Sequence, residues 1–297
     1  MNADTWAVRV PASSANLGAG FDVFGMALTL HAEVGVGPAP DGALLAEPRH
    51  PASIAFRQAG GTGDLWVRSP IPMSRGLGFS GAVRVGAAAA AHVQRLGAES
   101  LRDEATRASV LRVAAELEGH ADNAAASLYG GIVVTAGHTV ARVPLAVDPA
   151  VVVWVPEATT TSTDRSRTAL PDTVSRADAV FNLGRVALFV AACATGDIES
   201  LRTATEDRLH QPQRLAAVPE SAAALEAALT AGVWAAWLSG SGPTIAMLCE
   251  SARADEVAAA LPASGHTKSL RIDHEGATVT GVESTIRDRS HGSSGDG

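Results

Sequence analysis

Apolar and polar positions along this chain fall into short runs separated by polar or glycine-rich breaks. Near the N-terminus, WAVRV reads as a strand, PASSANLGAGFD as a loop marked by Pro11, Gly18 and Gly20, and HAEVGVG as a second strand. GPAPDGALLAEPRHP predicts a surface connection, SIAFRQAG a short helix and DLWVRSP a strand. From Ser80 onward Ala82, Val85, Ala89, Val93 and Leu96 recur at helical spacing, so a glycine loop feeds a helix N-terminus there. LRDEATRASVLRVAAELEG predicts another helix, closed by Gly119 ahead of the polar cluster HADN, with GGIVVTAG following as a strand. TVARVPL and AVVVWVPE predict two more strands, and the VDP turn between them marks a boundary. Beyond it, helices (ADAVFNLGRVALFVAACATG, SAAALEAALTAG) alternate with strands (VWAAWLSG, TIAMLCE), which predicts a layered α and β unit. The division is therefore 1–147, 148–285 and a polar tail, 286–297, expected to be disordered.

Composition narrows the class. With 297 residues, 46% apolar and 18% charged, the chain fits a soluble globular protein of one large or two ordinary domains. A net charge of -8 argues against nucleic acid as a partner, because surfaces that neutralise phosphate are normally basic. Cys193 and Cys249 lie in apolar runs with no partner at metal-ligand spacing, so neither disulfides nor zinc are indicated. Lys268 is the only lysine, which nearly excludes lysine chemistry. No signal-peptide core opens the sequence and no segment approaches the roughly 18 apolar residues of a membrane span, so the expectation is a cytoplasmic protein with no membrane partner.

Four loops carry candidate chemistry. In IPMSRGLGFSGAVRVG, Gly76, Gly78 and Gly81 stand where a strand-like segment meets a helix, an arrangement whose backbone N–H groups and helix dipole attract anions. A Walker loop needs Gly-Lys-Ser/Thr and is ruled out; the dinucleotide fingerprint fails on spacing. AELEGHADN places Glu116, Glu118, His120, Asp122 and Asn123 behind a helix, hard ligands suited to magnesium or equally to a solvated helix end. Asn16 and Asp22 in NLGAGFD pose the same choice, since Asx turns alone would hold so short a loop. LSGSGPT is either a tight connection or backbone that closes over a ligand. His31, His50, His92, His138, His210, His266, His274 and His291 form no ligand pattern and read as surface or structural.

Taken together, PASSANLGAGFDVFGMAL, IPMSRGLGFSGA, LEGHADNAAASLYGGIVV and WLSGSGPTIAML resemble the motifs of the GHMP kinase superfamily, and its homoserine kinases most. TSTDRSRTALP, DAVFNLGRVAL and HQPQRLAAVP follow in family order, so the resemblance runs from about Val8 to Leu248. It implies an α+β fold of two domains, the first like ribosomal protein S5 domain 2 and the second ferredoxin-like, with ATP and substrate between them. The implied reaction is ATP-dependent phosphorylation of the L-homoserine side-chain hydroxyl, in threonine synthesis, by a homodimer. By likeness, Arg75, Gly76, Leu77, Gly78, Phe79, Ser80 and Gly81 wrap the phosphates, and Ser80 with Glu116 holds Mg2+, Glu118 being the alternative ligand. Asn16, Asp22, His120 and Gly240 would surround the amino acid, Arg185 and Arg214 would grip its carboxylate, and Asn123 with Asp122 would align the reacting hydroxyl.

Two departures stand out. Phe79 replaces the first serine of the family loop GLGSSSA, and Gly35–Pro70 lacks the usual adenine-side signature, so no base-binding residue can be named from sequence. The functional expectation is a homoserine kinase; the alternatives are a related kinase for another small hydroxy acid and a catalytically silent protein on the same fold.

Overall fold

A computed structural model describes residues 6–161 and 163–281; the expected disordered tail lies outside the described residues. The first sheet is built on β1 (Trp6–Ala15) and β2 (Phe24–Val36), antiparallel along their length with a register shift between Pro11 and Ala12. That irregularity falls at the residue with no N–H to give the ladder. PASSA is thus strand rather than loop. Its serines were misleading because Ser13 and Ser14 are fully buried and their hydroxyls find partners on other elements, which makes them compatible with an interior strand.

β3 (Leu44–Leu45), α1 (Pro51–Gln58) and β4 (Leu65–Arg68) follow, β4 pairing with both β2 and β3. α2 (Phe79–Leu96) lies between the sheet and the helices α1 and α3 (Glu104–Glu118). Its run of buried alanines, Ala87 to Ala91, leaves room for close neighbours on both sides. α4 (Asp122–Tyr129) begins within the HADN cluster, then β5 (Ile132–Ala136) and β6 (Thr139–Arg142) extend the sheet from β2.

The second sheet opens with β7 (Ala150–Pro156), whose residues are all buried, as its unbroken apolar run requires. After it come α5 (Thr163–Thr168), α6 (Arg176–Thr195), α7 (Ile198–Ala204), α8 (Gln211–Ala216) and α9 (Pro219–Thr230). β8 (Ala235–Leu238), β9 (Ile245–Cys249), α10 (Ala254–Ala259) and β10 (Gly265–Leu270) complete it. The antiparallel order β10-β7-β9-β8 is fourth, first, third, second, the ferredoxin-like arrangement. Alternate residues of β7 serve two cores. Val151, Val153 and Val155 join the main core toward the first sheet, while Val152 and Trp154 pack with Ala224 and Ala228 of α9.

The chain then returns. β11 (Thr278–Gly281) pairs with β1, from Trp6 opposite Gly281 to Arg9 opposite Thr278, so the unit 148–285 is corrected: its last strand belongs to the first sheet. A second difference concerns α6, which by length and composition alone is long and apolar enough to cross a membrane. It keeps Asn182, Phe189, Ala192 and Cys193 inside and leaves Val180 and Leu183 exposed. Cys193 and Cys249 are both buried and free; burial pushes the Cys193 thiol up to about 12, so it is not a nucleophile.

Candidate active site

A cleft of about 610 Å³ opens between the two sheets, within the size range of small-molecule sites. One wall is the glycine loop. Gly76 and Gly78 take φ of 74° and 68°, the left-handed region. A Cβ on Gly76 would lie 2.3 Å from the Ser239 carbonyl oxygen, and one on Gly78 would lie 2.0 Å from Ser13 Oγ, so both positions are closed to side chains. Gly78 caps α2 with no side-chain hydrogen bond, leaving the first N–H groups of an 18-residue helix open to an anion.

Polar contacts fasten this loop to the second sheet. Trp237 Nε1 donates to Ser14 Oγ (3.0 Å), Ser14 and Ser239 hydroxyls bond at 2.8 Å, and Ser239 Oγ donates to the Gly76 carbonyl at 2.6 Å. Since Ser239 gives its proton to Gly76, the proton between the serines belongs to Ser14. Arg75 lines the cleft, yet its guanidinium donates to the carbonyls of Pro156, Thr159 and Glu157. It fastens the loop to the end of β7 instead of reaching into the phosphate space, a correction to its expected role. Leu77 turns a buried side chain inward, so only its backbone faces the cleft. Phe79 lines the cleft with its ring edge-on to His50, centroids 6.1 Å apart, so the bulky substitution leans along the wall. His50, which the sequence reads as surface or structural, lines the cleft too, and burial lowers its pKa.

The second wall comes from the end of α3 and start of α4. Glu116 is corrected: it is exposed, bonded to Gln58, and absent from the cleft lining. Two residues along a helix is a rotation of roughly 200°, so when Glu118 faces the cleft Glu116 cannot. Ser80 Oγ donates to Glu118 Oε1 at 2.6 Å, giving adjacent hydroxyl and carboxylate oxygens. This hard-oxygen pair fits magnesium, which binds through one or two carboxylates and substrate phosphates. Arg84, one turn after Ser80, forms an ion pair with Glu118 and donates to Ser80 Oγ at 2.7 Å.

Asp122, only 1% exposed, accepts from His120 Nδ1 (2.6 Å) and the Asn123 N–H (2.7 Å). Asn123 Oδ1 accepts from Ser13 Oγ at 2.8 Å, and its Nδ2 donates one hydrogen to Asp122 Oδ1 at 3.4 Å, which leaves the second amide hydrogen as the group Asn123 offers the cleft. Asp22, His120 and Asp122 have ligand atoms within 4.8 Å of one another, a spacing that suits a metal ion or an ammonium group.

The third wall carries cations. Asn16 holds φ of 71°, accepts the Asp22 N–H (3.1 Å) on its carbonyl, and donates to the Gly240 carbonyl at 3.0 Å. Arg214 donates to that same carbonyl at 3.1 Å, and burial together with nearby Arg167 pushes its guanidinium down to about 10. Arg167 binds Asp22 with both NH groups, at 2.8 and 2.5 Å. Phe21 sits between, with Arg167 and Arg214 at 5.4 and 5.2 Å from its ring centroid. Arg185 is corrected: it pairs with Glu206 at 2.8 Å and stacks on Phe181, and it does not line the cleft. Arg167 takes its place. TSTDRSRTALP held that signal, but two arginines there gave no basis for choosing one.

Beneath Arg214, His210 is wholly buried, its Nε2 bonded to the Gly18 carbonyl at 2.8 Å and its Nδ1 3.3 Å from Arg214. Since the carbonyl only accepts, Nε2 carries the proton, and Nδ1 receives the Arg214 N–H. Burial holds the His210 pKa down, against the pull of Asp207. Burial alone would raise the Asp207 carboxyl, but His210, Asn182 and backbone N–H donors outweigh it and hold it below its usual value.

Comparison with known proteins agrees with this layout. Residues 49–131 match the GHMP kinases N terminal domain, and residues 189–267 match GHMP kinases C terminal. The homoserine kinase of Thermus thermophilus is 41% identical over 270 residues, covering 86% of this chain and 90% of that protein. That of Desulfitobacterium hafniense is 36% identical, covering 92% and 99%. The crystal structure of homoserine kinase from Cytophaga hutchinsonii shares the fold, with a TM-score of 0.80 at 23% identity over 94% of this chain and 98% of its own. The chain belongs to the GHMP kinases and, within them, to the homoserine kinase family.

Proposed function

We propose that this chain is a homoserine kinase that transfers the terminal phosphoryl group of ATP to the side-chain hydroxyl of L-homoserine, in threonine synthesis. The carrying observation is one cleft with an anion-seeking glycine loop at one end and Arg167, Arg214, Asp22 and Asp122 at the other. A small zwitterion needs both kinds of partner. Arg214 and Arg167 supply planar donors for its carboxylate, and Asp22, His120 and Asp122 supply acceptors for its ammonium.

The N–H groups from Gly78 to Gly81 receive the phosphate oxygens, and His50, Pro51, Phe79 and Leu117 wall the end of the cleft left for the base. Ser80 and Glu118 are the residues that would hold Mg2+, which when bound offsets the triphosphate charge. Asn123 donates its amide N–H to the acceptor hydroxyl and so points an oxygen lone pair along the line of transfer. Phosphoryl transfer asks chiefly for such positioning and charge compensation. No side chain here pairs a carboxylate base with a lysine, since Lys268 lies on β10; the hydroxyl proton leaves to a phosphate oxygen as transfer proceeds. Cytoplasmic location, expected from the sequence, and a homodimer, expected from the resemblance, are checked by cell fractionation and light scattering.

The test is ADP release from magnesium-ATP with L-homoserine, L-serine, L-threonine, mevalonate or pantoate as acceptor. Turnover confined to homoserine is expected. Turnover on a different acceptor keeps the kinase and changes its substrate, whereas silence from folded protein overturns the catalytic reading.

A further inference from the structure

Among the described residues, four arginines line the cleft: Arg75, Arg84, Arg167 and Arg214. Three are accounted for: Arg75 holds three carbonyls of the 156–159 segment, while Arg167 and Arg214 surround Phe21 at the far end. Arg84 remains, beside the glycine loop. It projects from the second turn of α2, four residues after Ser80 and therefore on the same face. Its partner Glu118 has a side chain only 9% exposed, and its own is 17% exposed. A carboxylate so withdrawn from water needs a cation, and Arg84 supplies it. The pairing also leaves the Arg84 Nε buried with no hydrogen-bond partner, as are those of Arg107, Arg185 and Arg214, so a donor remains idle beside the glycine loop. Glu118 is also the carboxylate best placed, with Ser80, for a metal ion. One carboxylate cannot serve both cations to the full.

We propose that Arg84 is an exchangeable counter-cation of the phosphate loop. With the cleft empty it neutralises Glu118. With nucleotide bound, the guanidinium turns onto a phosphate oxygen, using the Nε now idle, and Glu118 and Ser80 are released toward the metal. The planar fork of arginine matches phosphate, and the move crosses only the width of the Ser80–Glu118 cluster. Two consequences separate this from a static ion pair. Metal-free ATP gains a protein cation, so it binds more tightly than it would with a neutral residue at position 84. Divalent ions without nucleotide bind weakly, because Arg84 already holds their ligand.

The inference rests on the nucleotide reading above, and the full chain tests it without turnover. ATP affinity is measured by calorimetry in excess EDTA, and Mn2+ affinity without nucleotide by electron paramagnetic resonance, for the parent, Arg84→Gln and Arg84→Lys. Arg84→Gln is expected to weaken metal-free ATP binding roughly tenfold or more and to tighten Mn2+ binding, with Arg84→Lys recovering much of the ATP affinity. Unchanged metal-free ATP affinity in folded Arg84→Gln, or unchanged Mn2+ affinity, overturns the exchange. Should Arg84→Gln fail to fold around an unpaired Glu118, the double variant Arg84→Gln/Glu118→Gln removes both charges. Its affinity for metal-free ATP must fall below that of Glu118→Gln alone, and equal affinity in the two overturns the proposal. If the parent phosphorylates homoserine while the Arg84 variants bind ATP as it does, the exchange alone fails; if ATP binds no form of the chain, the kinase reading fails with it.

Discussion

Asn123 reaches the cleft already oriented, because Ser13 occupies its carbonyl and turns its amide nitrogen outward. Asn123→Ala should cut kcat by about 10²-fold, the usual loss for one transition-state donor, with ATP affinity kept; near-parental turnover at saturating homoserine would remove Asn123 from the chemistry. Ser13→Ala leaves the amide in place but free to flip, so a smaller loss, about threefold to tenfold, is expected in kcat. At this scale the sequence was legible wherever a motif fixed a residue, as for Asn16, Asp22, His120, Asp122 and Arg214, all of which line the cleft. It was illegible where identical residue types competed. Glu116 against Glu118 turns on helical phase, and Arg167 against Arg185 on which helix faces the seam; neither is written in local spacing. Ser13 and Arg84 were missed because a serine in a strand and an arginine in a helix carry no signal until the fold sets Asn123 and Glu118 beside them.

The element that most constrains the site is the turn from Ser74 to Gly78, fastened to the second sheet and left-handed at Ser74, Gly76 and Gly78. Gly78→Ala adds a Cβ where Ser13 Oγ stands and a backbone penalty of roughly 1–2 kcal/mol. The expected outcome is a melting temperature lower by several degrees and at least a tenfold loss of nucleotide affinity; calorimetric titration with ATP together with thermal unfolding would settle it. This turn and the helix behind it were evident from glycine spacing and apolar period. α4 was not, because DNAAASLY joins polar residues to alanines and shows neither period, and helix formation there depends on the sheet beneath it. Short elements such as α5, α7, α8, α10 and β10 likewise lacked the length over which a period can be read.

Across the whole molecule, acid should act through His210. Its folded-state pKa lies below 6.5, so the unfolded chain takes up a proton first. Its contribution to stability is therefore complete above pH 6.5 and declines as pH falls from there toward the lower folded value. Melting temperature followed from pH 8 to pH 5 should hold level and then drop below about 6.5. A curve that rises on acidification would contradict a neutral His210. Since a proton on Nδ1 would face the Arg214 guanidinium, the homoserine KM should stay level through the start of that fall and rise only at the more acid pH where the folded His210 itself titrates. Both sheets and the cleft between them were foreseen, but the ownership of the last strand was not: TVTG fits an edge in either sheet, and only pairing across some 270 positions decides it. That pairing gives the molecule a mechanical character. Trp6 and Gly281 face each other at the same end of an antiparallel ladder, so tension between them peels β11 from β1 rung by rung, as a zipper opens, where a shear geometry would load every rung at once. A tether on those two points would feel the last strand give way at low force, with the second sheet and its helices still folded.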